Sequence, residues 1–388
     1  MAVARKTVRQ SERSVKARAP SLEQAKRKKI LLLFCGGTIA MRRDPATNTL
    51  KPALKPEELY SMAPKIRKHA DVDIKFVTKK DSSDLTANDW KKMCDAIHDN
   101  MDKYDAVVMT HGTDTMAHTA NAIAYAFGKT LKIPVVMTGA QCEPDALGTD
   151  AIANIERAFL AATTTTRPEV MVSFNHAVFR GTRVRKIDET NLAAFGSPAA
   201  LPLATFTGGG IEWRVKPNPK RDIAHGEEYS PFFNDHVLTT SMESGMSPAH
   251  LKELFVKKSS SRIQGIVWSS LGQGNIPQAH YKTIVEAQKL GIPIVVTAAN
   301  AGGRLNMQNY ATGAGALKLG VIPAHNMTPE AASSKLKWLL GRAEVLNKKG
   351  QLKQSEVTSF VKKGFEKKRA KEVNFPKKKQ GNIGLPAT

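Results

Sequence analysis

Short apolar runs alternate with helical patterns over the first half of the chain, and this alternation limits the folds that the chain can adopt. The runs are rich in Val, Ile and Met and mostly lack polar alternation, which is typical of parallel strands buried on both faces. They are Ile30–Cys35, Asp73–Thr78, Ala106–Thr110, Ile133–Thr138 and Glu169–Phe174. Helical patterns lie between them at Thr86–Asp102, Met116–Phe127 and Asp150–Thr163. Repeated βαβ units of this kind predict an α/β protein with a doubly wound parallel sheet.

A stretch rich in Gly, Pro and charged residues, 207–234, interrupts this pattern and predicts a linker. Alternation then resumes, with strands predicted near His236–Thr240, Ile263–Ser269 and Ile292–Thr297, and helices near Pro248–Lys258, Pro277–Leu290 and Pro329–Leu340. We therefore predict a larger N-terminal parallel-sheet domain over residues 30–206 and a smaller C-terminal α/β domain over residues 235–345.

The positive charge of the chain is concentrated at its two ends. The formal net charge is +23, of which residues 1–29 carry +8 and residues 345–388 carry +9, while 36 Lys and Arg residues nearly balance 30 acids in between. The body is therefore not expected to bind a polyanion, and nucleic acid would be contacted through the tails alone. We predict a disordered basic tail over 1–29 and a basic helical or disordered tail over 346–388. Within the second, Val357, Phe360, Val361 and Phe365 recur at helical spacing, which favours a helix packed on its own domain over a membrane or partner anchor.

Composition also bears on the cellular location of the protein and on whether it binds a metal. No apolar run approaches the roughly 20 residues of a membrane-spanning helix, and no hydrophobic signal segment follows the N-terminal charges. Cys35, Cys94 and Cys142 are too few and too scattered for a disulfide framework or a zinc site, so no metal or other cofactor is expected. The cytoplasm is the predicted location. The basic N-terminal tail leaves an organellar or a nuclear destination open.

Hydroxyl and carboxylate side chains follow three of the predicted strands. The segments are Cys35–Ile39, Lys80–Asp84 and Thr110–Thr115. Taken singly, such residues are ordinary helix caps. Because ligands of open parallel sheets bind beyond the carboxyl ends of the strands, three such clusters together indicate a site at that edge.

These segments carry a resemblance to a known family. Gly36–Ala40 and His111–Thr115 resemble the paired signature motifs of the bacterial-type L-asparaginases, and Asp81–Thr86 is similar to that family's substrate-binding loop. Further matches follow in the family's order at Val135–Gln141, Phe179–Arg183 with Lys186, Ala194–Pro198, Gly272–Asn275 and Asn309–Gly313. The loop at residue 81 and the absence of a secretory signal look more like the cytoplasmic, type I branch. The resemblance covers about residues 29–343.

The resemblance implies hydrolysis of L-asparagine to aspartate and ammonia, with glutamine as a minor substrate. Thr38 would be the nucleophile that forms an acyl-enzyme, and Thr113, Asp114 and Lys186 would form a proton relay in which burial lowers the pKa of Lys186. Asp114 would also bind the α-ammonium group of the substrate. The residues expected to hold the rest of the substrate are Asp81, Ser82, Ser83, Gly112, Ala140 and Asn275. The family further implies a homodimer or homotetramer in which the second domain of a neighbouring subunit completes each site. Asn275 is the candidate for that contribution.

One departure from the family and two alternative functions remain open. Family members commonly carry a tyrosine in the loop after the first threonine, where it helps to activate the nucleophile. Residues 41–52 contain none, although Thr47 or Thr49 offers a hydroxyl. The amidase subunit of a tRNA-dependent amidotransferase would use the same chemistry, but 29 residues are too few for the extra N-terminal module expected there. A non-catalytic scaffold with nucleic-acid-binding tails is the second alternative.

Overall fold

A computed structural model describes residues 27–219, 227–256, 263–300 and 302–375 of the chain. Its N-terminal domain is built on an eight-stranded sheet in the order β12-β11-β8-β7-β6-β5-β1-β4. The strands of this part of the chain, including two short hairpins outside the sheet, are β1 (Lys28–Phe34), β2 (Met41–Arg43), β3 (Leu50–Pro52), β4 (Ala70–Phe76), β5 (Ala106–Thr110), β6 (Val135–Thr138), β7 (Val170–Phe174), β8 (Ala177–Arg180), β9 (Arg185–Lys186), β10 (Phe195–Gly196), β11 (Ala204–Thr207) and β12 (Gly210–Trp213).

Helices cover both faces of this sheet, which confirms the predicted doubly wound α/β fold. They are α1 (Pro56–Ser61), α2 (Ile66–His69), α3 (Ala87–His98), α4 (Met116–Phe127) and α5 (Ala151–Thr164). Alternate residues of one strand enter different cores: Leu31 and Leu33 pack with α3 and α4, whereas Ile30 and Leu32 pack with α1 and α5. A strand with apolar neighbours on both faces needs an unbroken apolar run, which is the pattern in the sequence. Helix α3 begins with a capping box formed by Thr86 and Asp89.

The large sheet differs from the sequence prediction at its edges. Strands β4, β1, β5, β6 and β7 are parallel, but β8, β11 and β12 continue the sheet in antiparallel pairing. Strand β4 begins at Ala70, three residues before the predicted start at Asp73. Its whole length pairs with β1, although several of its residues are solvent-exposed. Residues 70–72, at the start of β4, include a polar residue on this outer edge and so do not form an apolar run in the sequence.

The stretch 207–234, predicted to be a linker, is attached to the N-terminal domain. It contains β12, which pairs with β11, and the N–H of Thr166 donates to the carbonyl of Pro217 at 3.3 Å. Beyond residues 220–226, which lie outside the described part, Tyr229 stacks on His98 of α3 with ring centroids 4.2 Å apart. The N-terminal domain therefore extends past residue 206. The sequence pattern did not reveal this extension, because glycine-rich hairpins and aromatic contacts lack the periodicity of buried strands.

The smaller domain carries a parallel sheet in the order β13-β14-β15-β16. Its strands are β13 (Val237–Ser241), β14 (Gly265–Ser270), β15 (Ile294–Ala298) and β16 (Ile322–Pro323), and its helices are α6 (Pro248–Val256), α7 (Tyr281–Lys289), α8 (Ala311–Lys318) and α9 (Pro329–Lys348). Helix α9 begins where the Thr328 hydroxyl accepts the N–H of Ala331 at 3.1 Å, with a proline at its first position. Helix α9 packs on α4, and the two domains meet there.

The chain continues into a further helix, α10 (Val357–Phe365), whose Val357, Val361 and Phe365 are buried against α9. The predicted amphipathic helix is thus present and packs on its own domain. Residues 366–375 then run back along both domains. The remainder of the predicted C-terminal tail, and residues 1–26 of the N-terminal one, lie outside the described residues.

Within the ranges that the structure describes, no helix combines the length and the apolar character needed to cross a membrane. In the same ranges, no group of three or more His, Cys, Asp or Glu side chains is arranged to hold a metal ion.

Candidate active site

Three loops meet at the carboxyl ends of adjacent parallel strands. Strand β1 lies between β4 and β5, so the segments after Phe34, Phe76 and Thr110 emerge side by side. Hydrogen bonds continue this pairing beyond the strands, since the Cys35 N–H donates to the Thr110 hydroxyl at 3.1 Å and the Val77 N–H donates to the Phe34 carbonyl at 3.0 Å. The three clusters named from the sequence are therefore neighbours at one edge of the sheet.

Gly37 brings the first threonine loop directly against the second. Its φ is +90°, and a Cβ at this position would lie 2.4 Å from the backbone nitrogen of Gly112. A side chain would have to displace the His111–Gly112 backbone, so only glycine permits this approach. Thr38 follows as the first residue of a short 3₁₀ turn and is partly exposed, while Thr113 follows Gly112 and is buried.

Gly112 in turn receives the third loop. A Cβ on Gly112 would lie 2.5 Å from the Ser82 hydroxyl oxygen, so the two residues are in close contact. The Thr115 hydroxyl donates to the Ser82 carbonyl at 2.7 Å, which ties the loops together from the other side. Ser82 is buried, whereas Ser83 is exposed and gives both its N–H and its hydroxyl to the Asp81 carboxylate at 2.9 and 2.7 Å.

Lys186 reaches the same region from the β9–β10 hairpin, where Lys186 pairs with Phe195. Its Nζ lies 2.6 Å from a carboxylate oxygen of Asp114, one residue after Thr113. The Lys186 side chain is 12% exposed and that of Asp114 is 61% exposed. The structure thus joins the two parts of the predicted relay, which are 72 residues apart in the chain.

The predicted direction of the Lys186 pKa is wrong. Burial disfavours the ammonium and lowers the pKa, but hydrogen bonds and charge from Asp114 and Glu189 outweigh it, and the net pKa lies above its ordinary value. Burial was the only cause behind the predicted lowering of this pKa. Glu189 was not predicted, and its carboxylate also lies 2.6 Å from Lys186 Nζ. The position of Glu189 three residues after Lys186 was the available signal.

His111 supports the loops without titrating near neutral pH. The imidazole is fully buried, and its Nδ1 lies 2.7 Å from the Gly112 carbonyl. Burial lowers its pKa to about 4, although the Gly112 carbonyl and the Asp81 charge favour the protonated ring. His111 is therefore neutral at pH 7 and carries no positive charge into the site.

The other two expected substrate contacts lie in different places. Ala140 is buried in the loop that follows β6, next to Gly139, where a Cβ would lie 2.4 Å from the His111 carbonyl oxygen. Asn275 lies in the C-terminal domain, where its side-chain oxygen accepts the Thr312 hydroxyl at 3.1 Å. Ala140 therefore belongs to the same edge of the N-terminal sheet. The role of Asn275 was expected across a subunit boundary and stays a prediction.

The segment that lacks the family's tyrosine is a hairpin made by β2 and β3. Arg42 pairs with Asp145 at 2.7 Å and Arg43 pairs with Glu143 at 3.0 Å, which fastens the hairpin to the segment after β6. At its tip the hydroxyls of Thr47 and Thr49 lie 2.8 Å apart and bond to each other. The two hydroxyls that the sequence offered in place of tyrosine are thus paired with one another.

The arrangement combines the groups that metal-free amide hydrolysis requires. Thr38, a partly exposed residue, lies on a loop in contact with the His111–Gly112 backbone that precedes the buried Thr113, and a lysine–carboxylate pair adjoins the second loop. A nucleophile, a proton relay and glycine backbone able to face a developing oxyanion are the parts of acyl transfer.

Comparison with protein families finds two matches in order along the chain. Residues 29–219 match the family described as asparaginase, N-terminal, and residues 236–351 match the glutaminase/asparaginase C-terminal domain. The first match extends to residue 219 and so includes β12, in agreement with the sheet.

Known proteins with similar sequences fall into two groups. One component of the glutamyl-tRNA(Gln) amidotransferase of Aeropyrum pernix is 33% identical over 343 residues, 85% of this chain and 79% of that protein. The L-asparaginase of Thermococcus kodakarensis is 30% identical over 337 residues, 86% of this chain and 99% of that protein.

Solved structures with the same fold include two asparaginases. The thermostable L-asparaginase of Thermococcus kodakarensis superimposes with a TM-score of 0.77 at 29% identity and covers 90% of this chain and 100% of its own. L-asparaginase I of Vibrio cholerae gives a TM-score of 0.77 at 30% identity with the same coverage.

Proposed function

Since the chain belongs to the asparaginase family of amidohydrolases, we propose that it hydrolyses L-asparagine to L-aspartate and ammonia, with glutamine as a minor substrate. The observation that carries the proposal is the contact of Gly37 with Gly112, which brings the loop of the partly exposed Thr38 against the segment that leads into the Thr113–Asp114–Lys186 group. The similarity in fold to two L-asparaginases over the full length of their chains supports asparagine as the substrate.

In the proposed mechanism the Thr38 hydroxyl attacks the side-chain amide carbon of the substrate. The proton of Thr38 passes through the Thr113 hydroxyl to Lys186, and the oxyanion is stabilised by backbone N–H groups of the glycine-rich loop. Lys186 then returns this proton through Thr113 to the amide nitrogen, so collapse of the tetrahedral intermediate releases ammonia and leaves an aspartyl ester on Thr38. A water molecule then attacks the ester, aspartate leaves, and the Thr38 hydroxyl is restored.

Substrate binding would also prepare Lys186 for this role. Asp114 is exposed enough to accept the α-ammonium group of the substrate while its other oxygen contacts Lys186. A second cation beside Asp114 competes for its charge and repels the ammonium of Lys186, which lowers the pKa of Lys186. The α-carboxylate would be held by the Ser82 and Ser83 loop, where the Ser83 donors exchange Asp81 for the substrate.

Ammonia release from asparagine and from glutamine by the purified full chain tests the proposal. We expect Thr38→Ala and Thr113→Ala each to lower kcat/KM for asparagine by about a thousandfold or more, because each removes a group that acts in the transition state. Thr358→Ala on α10 is the matched control and should leave the rate unchanged. A wild-type rate retained by Thr38→Ala would refute the nucleophile, and absence of ammonia release from either amino acid would refute the activity.

A second candidate function is the glutaminase step of a tRNA-dependent amidotransferase, because the relative from Aeropyrum pernix is named as a component of such an enzyme. The same threonine chemistry would then release ammonia for a partner protein. Turnover of glutamine that rises on addition of glutamyl-tRNA and a copurifying partner would support this candidate. Asparagine turnover by the isolated chain, unaffected by tRNA, would exclude it.

A cytoplasmic location is part of the proposal and rests on the cysteines. All three are free thiols, and Cys35 and Cys94 are buried in the N-terminal domain. An oxidising compartment would favour disulfides in their place. Fractionation of cells that express the tagged full chain checks the location, and enrichment in an organelle or the nucleus would overturn it.

A further inference from the structure

Two carboxylates hold Lys186, and the proposed mechanism has a use for one of them. Lys186 Nζ lies 2.6 Å from Asp114 and 2.6 Å from Glu189. Asp114 adjoins Thr113 and is assigned the substrate's α-ammonium group. Glu189 comes from the tip of the β9–β10 hairpin and has no part in the reaction described so far.

The backbone of Glu189 is held in place by a structured turn. The Asp188 carboxylate accepts the N–H groups of Thr190 and Asn191, each at 2.8 Å. Gln141, from the loop after β6, donates its side-chain N–H to the Glu189 carbonyl at 2.8 Å. The Glu189 side chain is 77% exposed, so its carboxylate can leave Lys186 by side-chain rotation while the turn stays in place.

Other charged groups around Lys186 have partners of their own. Arg185 pairs with Glu330 at the start of α9 at 3.0 Å, and Asp81 accepts the Ser83 donors. Asp188 is occupied by the turn. The charge that decides whether Lys186 keeps its proton therefore comes from Asp114 and Glu189.

A lysine accepts a proton through the lone pair of its neutral amine. While both carboxylates bind Nζ, the ammonium form is favoured and the lone pair is absent. We propose that Glu189 is a positioning residue for Lys186: its carboxylate keeps Lys186 paired in the resting site and must release Nζ before Lys186 can take the Thr38 proton through Thr113. This inference rests on the proposed function for its catalytic part.

The pH dependence of kcat/KM for asparagine tests the inference in the full chain. The acid limb reports loss of the neutral base as pH falls. Glu189→Gln removes a negative charge and lowers the pKa of Lys186, so the limb should move to lower pH. On the limb, kcat/KM should then rise about threefold, the size expected when the partner is an exposed carboxylate.

Two further variants separate charge from structure. Glu189→Asp keeps the charge and should leave the limb nearer its wild-type position, and Glu57→Gln makes the same charge change on α1, where no shift is expected. An unmoved limb in Glu189→Gln, or a loss of rate at every pH that Glu189→Asp does not restore, would overturn the inference.

Titration of Lys186 by NMR of ¹³C-labelled lysine gives a readout that does not depend on turnover. The Lys186→Arg sample identifies the signal by its loss. A lower pKa in Glu189→Gln than in the wild type supports the inference even if the chain releases no ammonia, an outcome that would defeat the proposed function alone. Equal titrations in the two proteins would defeat the inference even if asparagine is hydrolysed.

Discussion

His111 shows how one buried side chain makes the site sensitive to acid. Its imidazole is fully buried immediately before Gly112, and burial lowers its pKa to about 4 from an ordinary value near 6.5. Between these two values the unfolded chain binds a proton at this histidine and the folded chain does not. Stability therefore falls as pH decreases through this window and stays level below it.

We predict that His111 contributes about 3 kcal/mol of acid-induced destabilisation between pH 6.5 and pH 4, at about 1.4 kcal/mol for each unit of pKa shift. Urea unfolding of the wild type and His111→Gln at pH 7 and pH 4 measures it. The wild-type advantage over the variant should shrink by about this amount at pH 4, because glutamine does not titrate. A difference between the two proteins that is independent of pH would contradict the prediction.

The segment after α10 joins the two domains beside the Lys186 hairpin. Arg369 donates to the carbonyls of Tyr125, at 3.1 Å, and Glu228, at 2.9 Å. The Thr182 hydroxyl donates to the Ala370 carbonyl at 2.9 Å. Glu372 is completely buried against Lys335 of α9, with an Nζ to carboxylate distance of 2.5 Å. Residues that the charge pattern assigned to a basic tail therefore form part of the folded core.

We predict that Glu372→Gln lowers the free energy of unfolding by about 3 to 5 kcal/mol, because it leaves the Lys335 ammonium buried without its counter-ion. The double variant Lys335→Met with Glu372→Leu removes both charges and should recover most of this loss. Urea unfolding followed by tryptophan fluorescence compares the three proteins. If Glu372→Gln unfolds at the wild-type urea concentration, the pair is not a necessary part of the core.

At the level of the complete protein, an exposed apolar side chain lies beside Lys186 in the N-terminal domain and another lies near the Asn275 loop in the C-terminal domain. Ile187, next to Lys186, is 57% exposed, and Tyr310, on the segment beside the Asn275 loop, is 52% exposed. Asn309 Nδ2 donates to the Gln273 side chain at 3.3 Å, which connects that segment to the loop. Apolar surface on both pieces suits an interface in which the Asn275 loop of one subunit meets the hairpin of another.

We predict that sites are shared between subunits, so that inactive chains complement each other. Thr38→Ala and Asn275→Ala should each be inactive alone. Dimers reassembled at random from equal amounts of the two variant chains should regain about a quarter of the wild-type rate. Half of these dimers contain one chain of each variant, and each such dimer has one intact site out of two. Static light scattering of the wild type checks that its mass is a multiple of the 42.3 kDa chain. No recovery in proven hybrids would contradict shared sites.

The local sequence pattern was sufficient to predict the sheet and the positions of the candidate loops. Burial on both faces forces continuous apolar runs such as those of β1 and β5, and parallel strands bring their carboxyl ends to one edge, so Thr38, Ser82 and Thr113 could be named together. The resemblance to the asparaginases was needed to add Lys186, since a single lysine in a hairpin carries no periodic signal.

Long-range packing decided the charge state of the site and the ends of the folded body. Burial alone predicts a lowered pKa for Lys186, but the pKa depends on which carboxylates the fold brings to Nζ, and Glu189 arrives through a turn anchored by Gln141. In the same way, the composition of residues 366–375 indicates a solvated basic segment, yet Glu372 finds a buried partner in Lys335. A free energy that depends on the distance between charges is fixed by packing, and composition does not contain that distance.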